Sequence, residues 1–203
     1  MDYQPGVPPR IITTPDEQDF TALLADVRSA KAAADKVVLS LHWGIHFVPR
    51  LIADYQKTVA HAAIGAGADA ILGHHAHVPK AIEVHAGRTC FYSLSNFIMS
   101  APAKTEEAAA VFCARYGVVL DPAYPHLPYG TDAKRSLVAK VVMSRTAQTR
   151  TSFLPVIIDQ DLRPEILQAS DPRFSDMVDY MQWASTGFPH RFAIEGNEVA
   201  ISA

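Results

Sequence analysis

Residues 70–77 read AILGHHAH, an apolar run that leads directly into a glycine and three histidines. A short apolar run of this kind is typical of a strand buried in a parallel sheet. Gly73 is expected to let the backbone turn tightly at the end of that strand. His75 and His77 are two residues apart, so in extended backbone their side chains point the same way, which suits chelation of a metal ion.

A second predicted strand with a histidine at its end comes earlier in the chain. Residues 36–41 form an almost continuously apolar run that ends at His42, and this run predicts a strand buried on both faces. Helical spacing over residues 50–66 predicts the crossover helix between the two strands. The carboxyl ends of parallel strands lie along one edge of a sheet, where ligand sites form. This edge is therefore predicted to bind metal, although a lone histidine such as His42 can equally be a plain polar residue at a sheet edge.

The rest of the chain alternates between helical and strand patterns, which indicates an α/β fold. Residues 14–17 read TPDE, a helix start with a cap and a proline in the first turn, and that helix is predicted to reach about residue 33. We treat residues 1–203 as a single domain. The other predicted elements are strands at 81–85, 89–94, 137–143, 153–158 and 198–202, helices at 105–115 and 172–184, and a proline-rich loop at 121–130.

Composition excludes several classes of protein. The chain is 49% hydrophobic and 19% charged with a net charge of −3, so no basic surface for nucleic acid is expected. No apolar run is long enough to span a bilayer, and residues 1–10 lack the apolar core of a signal peptide. As written, the chain is expected to be soluble and cytoplasmic. Two cysteines cannot build a disulfide framework or a thiolate zinc site. Cys90 and Cys113 have apolar neighbours and are expected in or near the core.

Three motifs occur in a fixed order: LSLHWG at residues 39–44, GADAILGHHAHV at residues 67–78 and FYSLSNF at residues 91–97. Together they resemble the CapA family of capsule and poly-γ-glutamate synthesis proteins, whose pattern looks like HWG-x-E, GAD-x-V-x-GHHPHV and YSLGNF. The resemblance covers about residues 36–100, with a weaker likeness at 137–202. It implies a calcineurin-like metallophosphatase fold, in which two β-sheets are flanked by helices and a dinuclear metal site lies at the strand ends.

The resemblance also implies roles for single residues. His42 matches a metal ligand of the family, and His75 and His77 match its H-x-H pair of ligands. Their ions would be divalent manganese, iron or zinc, one or two in number. His42 and His74 are the implied catalytic residues, with His74 facing the substrate or supporting the ligands. The residues expected to contact substrate are Trp43, His46 and Asn96.

Some of these assignments have alternatives in the sequence. Trp43 can instead be a packing residue, and Asn96 can hydrogen-bond the histidine loop or simply serve a turn. His46 stands where the family has Glu, and Ser95 where it has Gly. Asp69 is expected to cap or turn. The remaining histidines are expected on the surface or in turns and loops without partners: His61, His85, His126 and His190.

The family motifs that supply the Asp, Asn and His ligands are a GD strand end, an NLE-like segment and an NNH motif, and we find none of them. The chain is therefore expected to be the C-terminal portion of the family fold, without its N-terminal half. Such a half-fold is expected to associate with itself or with the missing half. Family members are often membrane-anchored or extracytoplasmic.

Two functions stay open. The first is an enzyme, in which two divalent ions activate water and polarise a phosphoryl oxygen of a phosphoester or polymer-related substrate. The missing carboxylates would then come from another chain or an upstream segment. The second is a truncated, non-catalytic subunit that supports capsule polymer assembly and binds metal weakly or not at all.

Overall fold

A computed structural model of the chain describes residues 11–144 and 149–203, so the expectation for residues 1–10 lies outside the described part. The helices are α1 (Glu17–Ala33), α2 (Asp54–Ala66), α3 (Glu106–Tyr116) and α4 (Pro172–Ala184), with a 3₁₀ turn at Thr131–Lys134. The strands are β1 (Val38–His42), β2 (Ala70–His74), β3 (Ile82–His85), β4 (Arg88–Phe91), β5 (Arg135–Val142), β6 (Arg150–Ile158), β7 (Pro164–Ile166), β8 (Arg191–Glu195) and β9 (Glu198–Ser202). None of the described helices is long and apolar enough to cross a membrane.

The first sheet contains the histidine motifs. Its strand order is β1-β2-β4-β3, with β1, β2 and β4 parallel and β3 antiparallel to β4. β1 and β2 run in register from Val38 opposite Ala70 to His42 opposite His74, so the two strands end together. The predicted β-α-β unit is confirmed. The prediction that β1 is buried on both faces is wrong, because β1 is an edge strand and Val38 is 44% exposed.

The second sheet is antiparallel throughout, in the order β5-β6-β9-β8 with β7 paired to β6. It is joined to the first sheet where the Leu137 N–H donates to the Leu94 carbonyl and where the hydroxyls of Thr89 and Thr151 lie 2.6 Å apart. Two sheets with four helices confirm the predicted α/β class. Strands β7 and β8 were missed, since one is only three residues long and the other is largely exposed and has no alternating pattern.

Two apolar clusters lie on opposite sides of the first sheet. One is built between that sheet and helices α1 and α2, and it includes Val27, Ala60, Ile71, Cys90 and Tyr92. The other joins both sheets to α4, and it includes Ile82, Phe91, Phe153, Phe174 and Met177. The sheet that presents the histidines is thus packed on both sides over most of its area.

The helix starts follow local capping chemistry. Asp16, not Thr14, caps α1, because its carboxylate accepts from the N–H groups of Gln18 and Asp19. Pro15 therefore precedes the cap instead of standing in the first turn. The bounds predicted for α4 are confirmed, with Asp171 as the cap and Pro172 as the first helical residue.

Asp69 connects the start of β2 to α1, β1 and β4, which goes beyond the capping or turn role that we predicted. Its buried carboxylate accepts from Lys31 Nζ at 2.7 Å and from the Val37 N–H at 2.9 Å, and Arg88 lies 3.2 Å away. Burial alone would raise the pKa of Asp69, but the hydrogen bonds from Lys31 and Val37 and the nearby positive charges lower it below its usual value. Helix α1 and strands β1, β2 and β4 are thereby tied at one point.

Replacing Asp69 by Asn is expected to lower the free energy of unfolding by about 2 kcal/mol at pH 7, because Lys31 and Arg88 lose a buried anion but keep some access to water. Because the pKa of Asp69 is lower in the folded state than in the unfolded state, the ionised carboxylate stabilises the fold above the unfolded pKa of about 4. This stabilisation is lost as pH falls through the folded pKa. The difference between Asp69→Asn and wild type should therefore shrink below about pH 4 in urea titrations. A constant difference between pH 7 and pH 3 would contradict the assignment.

Candidate metal centre

The turn after β1 is fastened to the neighbouring strands by Trp43. Its N–H donates to the His74 carbonyl at 3.3 Å, and its indole N–H donates to the Tyr92 carbonyl at 3.0 Å. The indole also stacks on the Tyr92 ring at 5.8 Å. Trp43 is only 7% exposed, which fits the packing alternative, and its contact with substrate stays a prediction.

Gly73 permits a close approach of backbone and does not form the predicted turn, since its φ is not positive. A Cβ atom at this position would lie 2.3 Å from the Tyr92 carbonyl oxygen and 2.6 Å from Trp43 Nε1. Only a residue without a side chain lets Trp43 reach Tyr92 past this strand.

The tight turn that we expected at the glycine is made instead by the histidines, two of which have left-handed backbone angles. His75 has φ +94° and His77 has φ +58°, so the expectation that both side chains leave an extended backbone is wrong. Non-glycine residues rarely adopt such angles, which cost about 1–3 kcal/mol each and concentrate at functional sites. The loop is held in part by the N–H of Phe47, which donates to the Ala76 carbonyl at 2.9 Å.

His42 and His75 meet directly. Nε2 of His42 and Nδ1 of His75 lie 2.7 Å apart, so one proton is shared between the two nitrogens. The ring of His46 lies over His75 with centroids 3.8 Å apart. Burial lowers the pKa of both His46 and His75, and positive charge on the neighbouring histidines and on Lys80 lowers it further. Both rings therefore favour the neutral state that can bind a metal.

Asn96 fixes the orientation of His77. The Asn96 amide donates to the carbonyls of His77 and Ala133, at 3.3 and 3.0 Å, which turns its oxygen toward His77 Nδ1 at 2.7 Å. An amide oxygen only accepts, so Nδ1 of His77 carries a proton and Nε2 of the neutral ring keeps a free lone pair. Asn96 thus hydrogen-bonds the histidine loop, as in our alternative reading, and it is 5% exposed. Its contact with substrate stays a prediction.

His74 lies apart from this contact. It ends β2, and its Nε2 lies 3.1 Å from the Ser40 hydroxyl on the neighbouring strand. Burial lowers the pKa of His74, with a smaller contribution from His42. Beside it is an apolar pocket of about 370 Å³ whose walls include Leu72, Leu94 and Phe97. The catalytic role of His74 stays a prediction.

An aromatic wall that the sequence did not reveal closes one side of the centre. Tyr129 stacks on His77 at 4.2 Å, and Phe47 stacks on Tyr129 at 5.6 Å. Helix α3 adds Tyr116, whose ring lies 4.9 Å from Phe47 and 6.3 Å from His46. No motif in residues 99–135 pointed to this arrangement, which arises from the packing of α3 and the proline-rich loop.

Lys80 is a second unforeseen residue. It is fully buried and donates to the Leu51 carbonyl at 2.6 Å. Burial lowers the pKa of Lys80 to about 8. Its charge is close enough to His46 and His75 to disfavour their protonation.

A more compact group of ligand-type atoms lies elsewhere. Among the residues that the structure describes, the group of three or more whose ligand atoms all lie within 4.8 Å of one another is His61, Glu83 and His85. The ligand atoms of the predicted trio, His42, His75 and His77, are therefore more widely spaced, and His77 lies outside the close pair of His42 and His75. The expectations that His61 is a plain surface residue and that His85 lacks a partner are wrong, since their rings stack at 3.6 Å. Glu83-x-His85 on a predicted strand was the available signal.

Comparison with known proteins agrees with the order of the motifs. The family model described as bacterial capsule synthesis protein PGA_cap matches residues 3–101, which span β1, β2 and the histidine loop. The segment that carries the three motifs thus matches the CapA family of capsule synthesis proteins. The resemblance of the motifs is thereby confirmed.

Three CapA-like relatives give the extent of the similarity. The PGA biosynthesis protein CapA of Bacillus subtilis (strain 168) is 42% identical over 96 residues, 46% of this chain and 22% of that protein. The capsule biosynthesis protein CapA of Bacillus anthracis is 38% identical over 86 residues, 40% of this chain and 20% of that protein. A probable polyglutamine synthesis accessory protein of Mycobacterium tuberculosis (strain CDC 1551 / Oshkosh) is 27% identical over 160 residues, 77% of this chain and 41% of that protein. The chain thus spans about a fifth of the length of the two Bacillus relatives.

Replacing Gly73 by Ala is expected to destabilise this chain by about 1–3 kcal/mol, because the new methyl group overlaps the Tyr92 carbonyl and the Trp43 indole. Gly65→Ala is the matched control, since a Cβ there meets nothing within 4 Å and alanine favours the helix by up to about 1 kcal/mol. Denaturant unfolding followed by Trp fluorescence measures both. Equal stability of the two variants would contradict the close-approach role.

Replacing Asn96 by Ala is expected to release the His77 ring, because the carbonyl that selects its Nδ1–H tautomer is removed. Nitrogen-15 NMR of the histidines should show Nδ1–H alone in the wild-type ring and a mixture of tautomers in the variant. Asn197→Ala, at an exposed site that bonds Gln168 and Ala169, serves as the control. An unchanged His77 tautomer in Asn96→Ala would overturn the positioning role.

Proposed function

We propose that this chain takes part in making capsule or poly-γ-glutamate polymer, and that the ends of β1 and β2 provide histidine ligands of a metal-dependent phosphoesterase site. The similarity to the Bacillus relatives, which are PGA and capsule biosynthesis proteins, supports the biological role. The contact between His42 Nε2 and His75 Nδ1, 2.7 Å apart at two paired strand ends, supports the chemical role.

The residues at this edge fit a divalent ion. Neighbouring ligands of a tetrahedral ion with bonds of about 2.0–2.1 Å are separated by roughly 3.4 Å, so His42 and His75 need only a small adjustment once their shared proton has left. The free Nε2 of His77 is suited to the same ion after a movement of the loop, or to a second one. Imidazole ligands accept manganese, iron or zinc. Such ions activate water and polarise a phosphoryl oxygen.

The chain's own residues then have separate tasks. Asn96 holds the His77 ring, Trp43 anchors the turn that follows His42, and Lys80 lowers the probability that His46 and His75 are protonated. Tyr129 and Tyr116 exclude water from one side of the site. His46 and His74 remain the candidates for contact with substrate.

The acidic ligands are proposed to come from outside this chain. Within the described ranges 11–144 and 149–203, no Asp or Glu forms a compact group with His42, His75 and His77. A phosphoesterase needs anionic ligands to hold two divalent ions close together. A second protein or a further segment of a longer one is the proposed source, in line with the shorter span of this chain relative to its relatives.

The test measures binding of Mn²⁺ and hydrolysis of a chromogenic phosphate ester by this chain and by His75→Ala. We expect the variant to bind Mn²⁺ at least 10-fold more weakly, as followed by the electron paramagnetic resonance signal of free Mn²⁺. Any Mn²⁺-dependent hydrolysis should fall by the same order.

His126→Ala is the matched control, because His126 is exposed and its ring bonds the Ala101 carbonyl, away from the strand ends. It should behave like wild type. If wild type and His75→Ala bind Mn²⁺ equally and hydrolyse the ester at the same background rate, the chain is a non-catalytic subunit and the phosphoesterase proposal fails.

A further inference from the structure

A second cluster of ligand-type side chains lies at the opposite edge of the first sheet. β3 is separated from β1 by two strands, and it carries Glu83 and His85 on the same face because they are two residues apart. Helix α2 places His61 against them. Nε2 of His61 lies 2.9 Å from Glu83 Oε1, and the rings of His61 and His85 are parallel within 5° at a centroid distance of 3.6 Å.

The carboxylate of Glu83 is buried, and this requires a positive charge nearby. Glu83 is 1% exposed, and its ion-pair partner in the described part of the chain is His61. A buried carboxylate is costly unless it is paired with a cation and fully hydrogen-bonded. A divalent ion held by both imidazoles would supply the charge without placing two positive rings face to face.

The surroundings of Glu83 resemble the support of a metal ligand. The Tyr92 hydroxyl donates to Oε2 at 2.7 Å, which leaves Oε1 directed at His61. Hydrogen bonds of this kind orient ligating carboxylates. Cys90 lies opposite Glu83 on β4, but burial and the nearby Glu83 charge raise the pKa of its thiol, so the uncharged thiol is not a competing ligand.

We propose that His61, Glu83 and His85 form a second metal site, distinct from the strand-end histidines, that takes a zinc-type divalent ion. Three ligands of mixed nitrogen and oxygen type suit zinc, with water in the fourth position. The ligand atoms already lie within 4.8 Å of one another, against roughly 3.4 Å in a tetrahedral site with bonds of about 2.0–2.1 Å. The His61 side chain is 29% exposed, which gives the ion and its water access from solvent.

This site would join α2 to the hairpin of β3 and β4. Helix α2 leads directly into β2 and the histidine loop, so an ion here would fix the element that positions that loop. The site does not depend on the proposed phosphoesterase, because it shares no residue with His42, His75 and His77. Its ion would stabilise the fold by binding the native state only.

The experiment starts from the full chain carrying both His75→Ala and His77→Ala, so that the strand-end histidines cannot hold an ion. Equilibrium dialysis against Zn²⁺ should retain close to one ion per chain, and Co²⁺ in its place should give visible absorption typical of a four-coordinate site. Adding His85→Ala should weaken Zn²⁺ binding at least 10-fold. Glu83→Gln should do the same, although the Gln oxygen can still accept from Tyr92.

Folding is checked by thermal melting. Saturating Zn²⁺ should raise the Tm of the parent variant by about 5 °C and should not raise the Tm of His85→Ala, while the two melt alike with a chelator present. His126→Ala, added to the parent in place of His85→Ala, should keep the bound ion. Failure of the parent variant to bind Zn²⁺, or full retention of Zn²⁺ by both His85→Ala and Glu83→Gln, would overturn the second site.

Discussion

The in-register parallel pairing of β1 and β2 is the constraint on which the histidine arrangement depends. Because His42 and His74 are paired across the two strands, the loops that follow them start from the same edge. The pairing is secured at its beginning by the buried Asp69 carboxylate and at its end by Trp43, which reaches across Gly73 to Tyr92. A shift of one residue would move every side chain of β2 to the other face and separate His42 from His75.

Beyond the strand ends, the positions of the rings are set by contacts distant in sequence. His75 and His77 adopt left-handed backbone angles that their own chemistry does not favour, so the surrounding structure must compensate for the strain. Part of this compensation comes from Asn96, which binds both the carbonyl and the ring of His77, and part from Tyr129, which covers the ring. The left-handed backbone sets the direction of the His77 side chain, and the contacts with Asn96 and Tyr129 then fix the orientation of its ring.

Sequence patterns correctly predicted the features that depend on residues close together in the chain. The bounds of α4 follow from Asp171 and Pro172, and the meeting of the strand ends follows from the β-α-β pattern. The direction of His75 and His77 could not be obtained in this way, because an H-x-H spacing implies a common side only when the backbone is extended. The His61–Glu83 contact was equally out of reach, since it depends on how α2 rotates over the sheet. The prediction that β1 is buried on both faces was wrong because the burial of a strand depends on its neighbours and not only on its composition.

The short contact between His42 and His75 also bears on how this pair would bind the proposed metal ion. The two nitrogens face each other across 2.7 Å with one hydrogen between them, so a cation that takes both lone pairs must first expel that hydrogen. In the proposed site, an ion would therefore replace this proton, and a fall in pH would oppose ion binding by mass action. The heat of ion binding measured by calorimetry would then vary with the ionisation enthalpy of the buffer, because the buffer takes up the proton that the histidine pair releases.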